Sequence, residues 1–237
     1  MALIFDIETV GEKFDELDSI TQENLTRWIK REAAGNTEKF NVMLADLKES
    51  LGFSPLTGQI VAIGVFDTIK NQGVVYYQAP ASEEKDSQEE NFLFKPKTEA
   101  EMLTAFWLGA TRYQEFISFN GRSFDVPFLV MRSAKHQIKP TVNLMTYRYG
   151  RDRDYGTKHI DLLDHLTYQG AVRRKGSLHL FCRMFNIKSP KSGGITGDDV
   201  SRLFNEKKYL EIAEYNSWDL IATWDLYKIW QKYINLN

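Results

Sequence analysis

The pattern of apolar and polar residues predicts an α/β chain: a mixed five-stranded sheet flanked by helices, with a helical insertion after the first strand. The chain enters a buried strand at once, residues 3–7, apolar apart from Asp6. Two further extended runs follow the insertion, joined by a turn. Beyond them, short strands alternate with stretches of helical periodicity.

Residues 11–53 are polar and helix-rich, with candidate helices at 21–34 and 37–51. Gly35-Asn36 breaks them, and Asn36 or Thr37 can cap the second. This stretch, to residue 57, is expected to sit on the sheet as an insertion. Gly58 precedes a second strand, 59–66; Asn71-Gln72-Gly73 turns the chain, and 74–78 pairs back as a third. Residues 82–91 are acidic and polar, as in an exposed loop. Residues 97–110 place Met102, Leu103, Phe106 and Trp107 on one helical face. A fourth strand at 115–120 leads to a helix at 124–137, with Ser123 as N-cap and Pro127 tolerated in its first turn. A mixed-charge loop, 147–158, precedes a fifth strand, 159–162. Helices are expected at 176–185, 198–205 and 206–233, with a Gly/Ser/Pro-rich connector at 189–197. This order, three antiparallel strands, then helix–strand units, then terminal helices, is that of a ribonuclease H-like fold.

A length of 237 residues suits one sizeable domain, and 43% hydrophobic with 26% charged residues is an ordinary globular balance. The net charge of -2 argues against a passive nucleic-acid coat protein. It does not exclude a nuclease, which gathers carboxylates at its centre and keeps Lys and Arg elsewhere. Cys182 is the sole cysteine, so an intramolecular disulfide and a cysteine-based zinc site are excluded. It reads as a small buried hydrophobe. A reduced, cytoplasmic setting is expected, with no signal peptide and no apolar run near the roughly 18 residues of a membrane span.

Three places hold acids that a packed fold has no use for. In Phe5-Asp6-Ile7-Glu8-Thr9 the period of two puts Asp6 and Glu8 on one face of the strand. Adjacent carboxylates repel unless a cation lies between them, and oxygen ligands suit Mg²⁺ or Mn²⁺. In Asn120-Gly121-Arg122-Ser123-Phe124-Asp125, Asp125 falls in the first turn of a helix, where any acid suits the dipole. In Tyr215-Asn216-Ser217-Trp218-Asp219, Tyr215 and Asp219 share a helix face. Each signal is modest alone; an exposed strand end or helix face explains any one of them.

Their order is more specific, and it resembles that of the DEDDy 3′→5′ exonucleases, in particular the polymerase B exonuclease-like family. The resemblance runs along nearly the whole chain and includes Ser54-Pro55-Leu56-Thr57-Gly58-Gln59-Ile60, Asp161-Leu162-Leu163-Asp164 and Ser177-Leu178. The insertion at 11–57 has no clear counterpart in the minimal fold, and no polymerase palm motif is present. The resemblance implies Asp6, Glu8, Asp125, Tyr215 and Asp219 as catalytic residues. It implies two divalent metal ions, Mg²⁺ or Mn²⁺, held about 3.5–4 Å apart by the four acids. Asp6 would bridge them, Glu8 and Asp219 would complete one, Asp125 would hold the other, and Tyr215 would orient the attacking water. The implied partner is nucleic acid, a single-stranded or frayed DNA 3′ end, with a replication or repair protein as a candidate further partner. Asn120 and Phe124 are candidate base contacts, and Arg173, Arg174 and Lys175 candidate phosphate contacts, as are Arg148, Arg151 and Arg153.

A rival string, His159 with Asp164, matches the His-x-x-x-x-Asp of the sister DEDDh class. It lies on a strand entering a helix, whereas that motif belongs on a late helix, so the tyrosine motif is preferred. His159, His165 and His179 are then expected to be surface or partly buried, and His136 a dipole partner at a helix C-terminus. An RNA-trimming exonuclease like the ribonuclease D group and a non-catalytic nucleic-acid-binding module stay open as alternatives.

Overall fold

The computed structural model describes residues 2–145, 156–190 and 194–235. Its centre is a mixed sheet of β1 (Ala2–Gly11), β2 (Gly58–Asp67), β3 (Gln72–Tyr77), β4 (Ser87–Glu89), β5 (Phe92–Pro96), β6 (Glu115–Ser118) and β7 (Lys158–Asp161), ordered β4-β5-β3-β2-β1-β6-β7. The first three strands pair antiparallel, and β6 and β7 add in parallel beyond β1. The architecture is the α/β fold expected, ribonuclease H-like, but the sheet has seven strands where five were predicted. The two additions, β5 parallel to β3 and β4 antiparallel to β5, form the edge of the sheet. β4 is exposed along its length and carries Ser, Gln and Glu, so it looks like loop in sequence; part of the expected 82–91 loop is therefore strand.

Helices cover both faces. α3 (Glu99–Ala110) and α4 (Asp125–Lys135) pack on the face lined by Leu3, Phe5, Ile7 and Ile63. On the other face Ala2, Ile4 and Val10 of β1 and Ala62 and Phe66 of β2 meet the long helix α8 (Tyr209–Ile229). Shorter helices surround α8: α5 (Leu162–Leu166), α6 (Leu178–Phe185) and α7 (Val200–Asn205). α8 ends earlier than periodicity suggests and passes into a π-helical turn, Trp230–Ile234. Cys182 is fully buried on α6, as read from sequence, and burial pushes its thiol up to about 11. No helix among the described residues is long and apolar enough to cross a membrane.

The insertion forms α1 (Ser19–Ala33), capped by the Asp18 carboxylate, and α2 (Thr37–Ser50), capped by Asn36. Ala34 and Gly35 both take positive φ between them, 48° and 87°. A 3-10 turn, Leu51–Phe53, then returns the chain to β1. The Gly52 carbonyl accepts from Thr9 Oγ1 at 2.7 Å, and Leu51 packs where a Cβ on Gly11 would stand, 2.7 Å from its own Cβ. The insertion is thereby tethered one residue beyond Glu8.

Candidate active site

β1 presents alternate residues to α8: Ala2, Ile4, Asp6, Glu8 and Val10. Two carboxylates interrupt an otherwise apolar row in a buried strand. Glu8 is 8% exposed. Asp219, one turn beyond Tyr215 on α8, completes a cluster in which one carboxylate oxygen from each of Asp6, Glu8 and Asp219 lies within 4.8 Å of the others. The strand period and the helix period, read from sequence, thus converge on one point.

Asp125 approaches from the far side of β1. It is the first residue of α4, 3% exposed, and its Oδ1 accepts from the Ile7 amide at 3.1 Å. Ile7 is the residue between the two strand acids, so this bond ties α4 directly to the acid-bearing segment of β1. Phe124, not Ser123, occupies the N-cap, and it makes no side-chain cap bond. The reason lies in the turn: the chain tightens through Asn120, at φ 66°, and closes with Phe124 N–H on the Asn120 carbonyl at 3.1 Å. Ser123 is left exposed.

Asp161 holds that turn. Its Oδ1 accepts from Asn120 N at 2.9 Å, Leu163 N at 3.0 Å and Asp164 N at 3.4 Å, and its Oδ2 from Arg122 N at 3.0 Å. One carboxylate caps α5 and clamps the loop that delivers Asp125. Asp164 pairs with Arg122 at 3.6 Å. His159, far from acting beside Asp164, is a core residue rather than the surface or partly buried one expected. It is 7% exposed, with Nε2 on Ser118 Oγ at 2.8 Å and Nδ1 on the Leu144 carbonyl at 2.9 Å. The carbonyl requires Nδ1 to donate, and in the neutral ring that burial favours, Nε2 accepts from the serine. Burial depresses its pKa to about 4. His136 does cap the C-terminus of α4, and its Nε2 also reaches Glu99 at 2.7 Å.

The electrostatics of the cluster are those of acids crowded together. Burial, reinforced by Asp125, Asp219 and Glu8, raises the Asp6 carboxyl well above the carboxylate range. Burial and Asp219 do the same to Glu8. Burial pushes Asp125 up to about 8. Tyr215 is 5% exposed; burial and the neighbouring Asp219, with which its hydroxyl hydrogen-bonds, hold its pKa far above that of free tyrosine. Hard oxygen donors packed at this spacing fit a divalent cation, whose charge would relieve the repulsion.

Sequence reasoning missed two residues. Asn216, fully buried, donates from Nδ2 to Asp6 Oδ2 at 2.7 Å and to Glu8 Oε1 at 3.4 Å. It lies inside the tyrosine motif, yet nothing in its spacing marks it. Glu99, 5% exposed, binds Arg132 through both oxygens at 2.8 and 2.7 Å and accepts from Ile60 N at 2.8 Å. That amide is free because β2 bulges: Glu8 pairs with Ala62 but Thr9 with Ile60, leaving Val61 over. Of the expected substrate contacts, Asn120 and Phe124 are half-buried in the loop before α4, with Phe124 against the Phe128 ring at 5.0 Å. Arg173, Arg174 and Lys175 are exposed in the segment before α6 and make no hydrogen bond to the carboxylate cluster among the described residues. Arg148, Arg151 and Arg153 lie outside the described residues.

A ribonuclease H-like sheet with acids converging at its centre defines a nuclease class, and comparison with known proteins gives the family. Residues 58–235 match a family described as a predicted 3'-5' exonuclease related to the exonuclease domain of PolB, and the chain belongs to that family. The match includes Asp125, Tyr215 and Asp219; Asp6 and Glu8 precede it. The chain is also 27% identical over 191 residues to an uncharacterized protein of Methanocaldococcus jannaschii, across 76% of this chain and 90% of that one.

Proposed function

We propose that residues 1–237 form one metal-dependent exonuclease domain that hydrolyses phosphodiester bonds at the 3′ end of single-stranded or frayed DNA and releases 5′-mononucleotides. The observation that carries this reading is the meeting of the Asp6, Glu8 and Asp219 carboxylates within 4.8 Å, with the Tyr215 hydroxyl on Asp219. Asp6, Glu8, Asp219 and Asp125 would hold two divalent ions, Mg²⁺ or Mn²⁺. Bound there, the ions would lower the pKa of a water and stabilise the departing oxygen. Tyr215 keeps its proton, so its role is to orient the water by hydrogen bonding, not to act as a base. Asp125, fixed on Ile7 N, keeps the fourth carboxylate in register with β1. Phe124 and Asn120 would meet the terminal bases, and Arg173, Arg174 and Lys175 the phosphates upstream.

The test is a 5′-labelled single-stranded DNA and a matching RNA, incubated with Mg²⁺, Mn²⁺ or chelator. The expected result is a metal-dependent ladder shortening from the 3′ end, absent in Asp6→Ala and reduced about 10²-fold or more in Tyr215→Phe. A preference for the RNA would assign an RNA-trimming activity instead. A folded protein that shortens neither substrate with either metal would overturn the catalytic reading in favour of a nucleic-acid-binding module.

A further inference from the structure

The geometry points to Asn216 as a positioning residue that, together with Gly64, selects which oxygen of Asp6 and of Glu8 is presented to metal; this rests on the metal-dependent reading above. Asn216 Nδ2 occupies Asp6 Oδ2 and Glu8 Oε1, at 2.7 and 3.4 Å. Each of those oxygens spends a lone pair on the amide, so the other oxygen of each carboxylate, Asp6 Oδ1 and Glu8 Oε2, would be the one turned to metal.

Three further features favour this assignment over simple packing. First, the amide has one usable orientation. With metal bound both acids are ionised, and turning the amide over would aim Oδ1 at two carboxylates, so both acceptors hold the donor end inward. Second, this orientation is kept although Oδ1 is buried without a hydrogen-bond partner among the described residues. An orphaned buried carbonyl costs free energy, and a residue chosen for packing alone would be apolar. Third, the sheet is shaped to admit it. Gly64 is the register partner of Asp6, and a Cβ there would stand 1.9 Å from Asn216 Oδ1. Only glycine at position 64 leaves α8 close enough for one short amide to span both acids. A partner of this kind behind ligating carboxylates typically matters 10–100-fold in metal affinity.

The experiment is calorimetric titration of Mn²⁺ into the wild type, Asn216→Leu, Asn216→Ser and Asp6→Ala, with thermal unfolding of each in chelator. Leucine keeps the branched outline of asparagine without the donor; serine keeps polarity but cannot reach both carboxylates. The inference expects Mn²⁺ affinity to fall 10–100-fold in both Asn216 variants and to vanish in Asp6→Ala. Wild-type affinity in a folded Asn216→Leu, with binding lost in Asp6→Ala, would overturn the inference and leave the metal site standing. The serine variant decides the same question should leucine fail to fold. A wild type that binds no Mn²⁺ would overturn the metal-dependent reading and this inference with it.

Discussion

Asp161→Ala should be among the most damaging single changes outside the acidic cluster. The carboxylate accepts four backbone N–H groups at 2.9, 3.0, 3.0 and 3.4 Å. Two of these form the N-cap of α5, and loss of such a cap costs about 1 kcal/mol. The other two belong to Asn120 and Arg122, some forty residues earlier in the chain, and each hydrogen bond to a charged acceptor contributes about 1.5 kcal/mol or more. The expected destabilisation is therefore about 4 kcal/mol. Asp161→Asn should be much milder, about 1–2 kcal/mol, because the three bonds to Oδ1 survive and only the Arg122 amide then meets a donor. Urea unfolding in chelator, followed by tryptophan fluorescence at constant m, measures both. An alanine variant within 1 kcal/mol of wild type, or an asparagine variant as damaged as alanine, would refute this account. If the alanine variant folds, its exonuclease activity should also fall, because the loop delivering Asp125 has lost its clamp.

Three other outcomes follow from the same coordinates. Glu99→Ala leaves Arg132 buried without its carboxylate and frees the Ile60 amide, so it should cost about 3–5 kcal/mol by urea unfolding; a cost below 1 kcal/mol would contradict this. Asp6, Glu8 and Asp125 have folded pKa values raised above their unfolded ones, Asp125 to about 8, so in metal-free protein the stability carried by their protonated forms is lost as pH rises through those raised values. A bound cation must displace those protons, so the rise in Tm produced by Mn²⁺ should be larger at pH 8 than at pH 5.5, and equal increments would count against it. His159 has its folded pKa depressed from 6.5 to about 4, so its contribution, about 3 kcal/mol, is present above pH 6.5 and lost as pH falls toward 4. Its imidazole NMR resonances should not titrate between pH 8 and 5.

What could be read from sequence was whatever depended on periodicity. Asp6 and Glu8 share a face because strands alternate, and Tyr215 and Asp219 because helices turn every 3.6 residues. What escaped depended on contacts between distant segments. β4 is polar because it is an edge, so no apolar alternation announces it. Ser123 is a better cap than Phe124 by residue type, but the Asn120 turn sets the helix start. His159 looked peripheral because a four-residue strand shows too little pattern to reveal that β7 is buried. Asn216 gains its role only from the bare Cα of Gly64, more than 150 positions earlier, and Glu99 from a bulge that no single strand displays.

The hydrogen bond between Asn216 and Asp6 joins residues 210 positions apart. Contacts of such sequence separation are the last that a growing chain can make. While the ribosome is still adding α8, β1 carries two acids with neither Asp219 nor Asn216 to complete the cluster. The emerging polypeptide is thus without the completed acidic cluster until α8 has been added. A product stopped anywhere before α8 lacks the motif that closes the cluster.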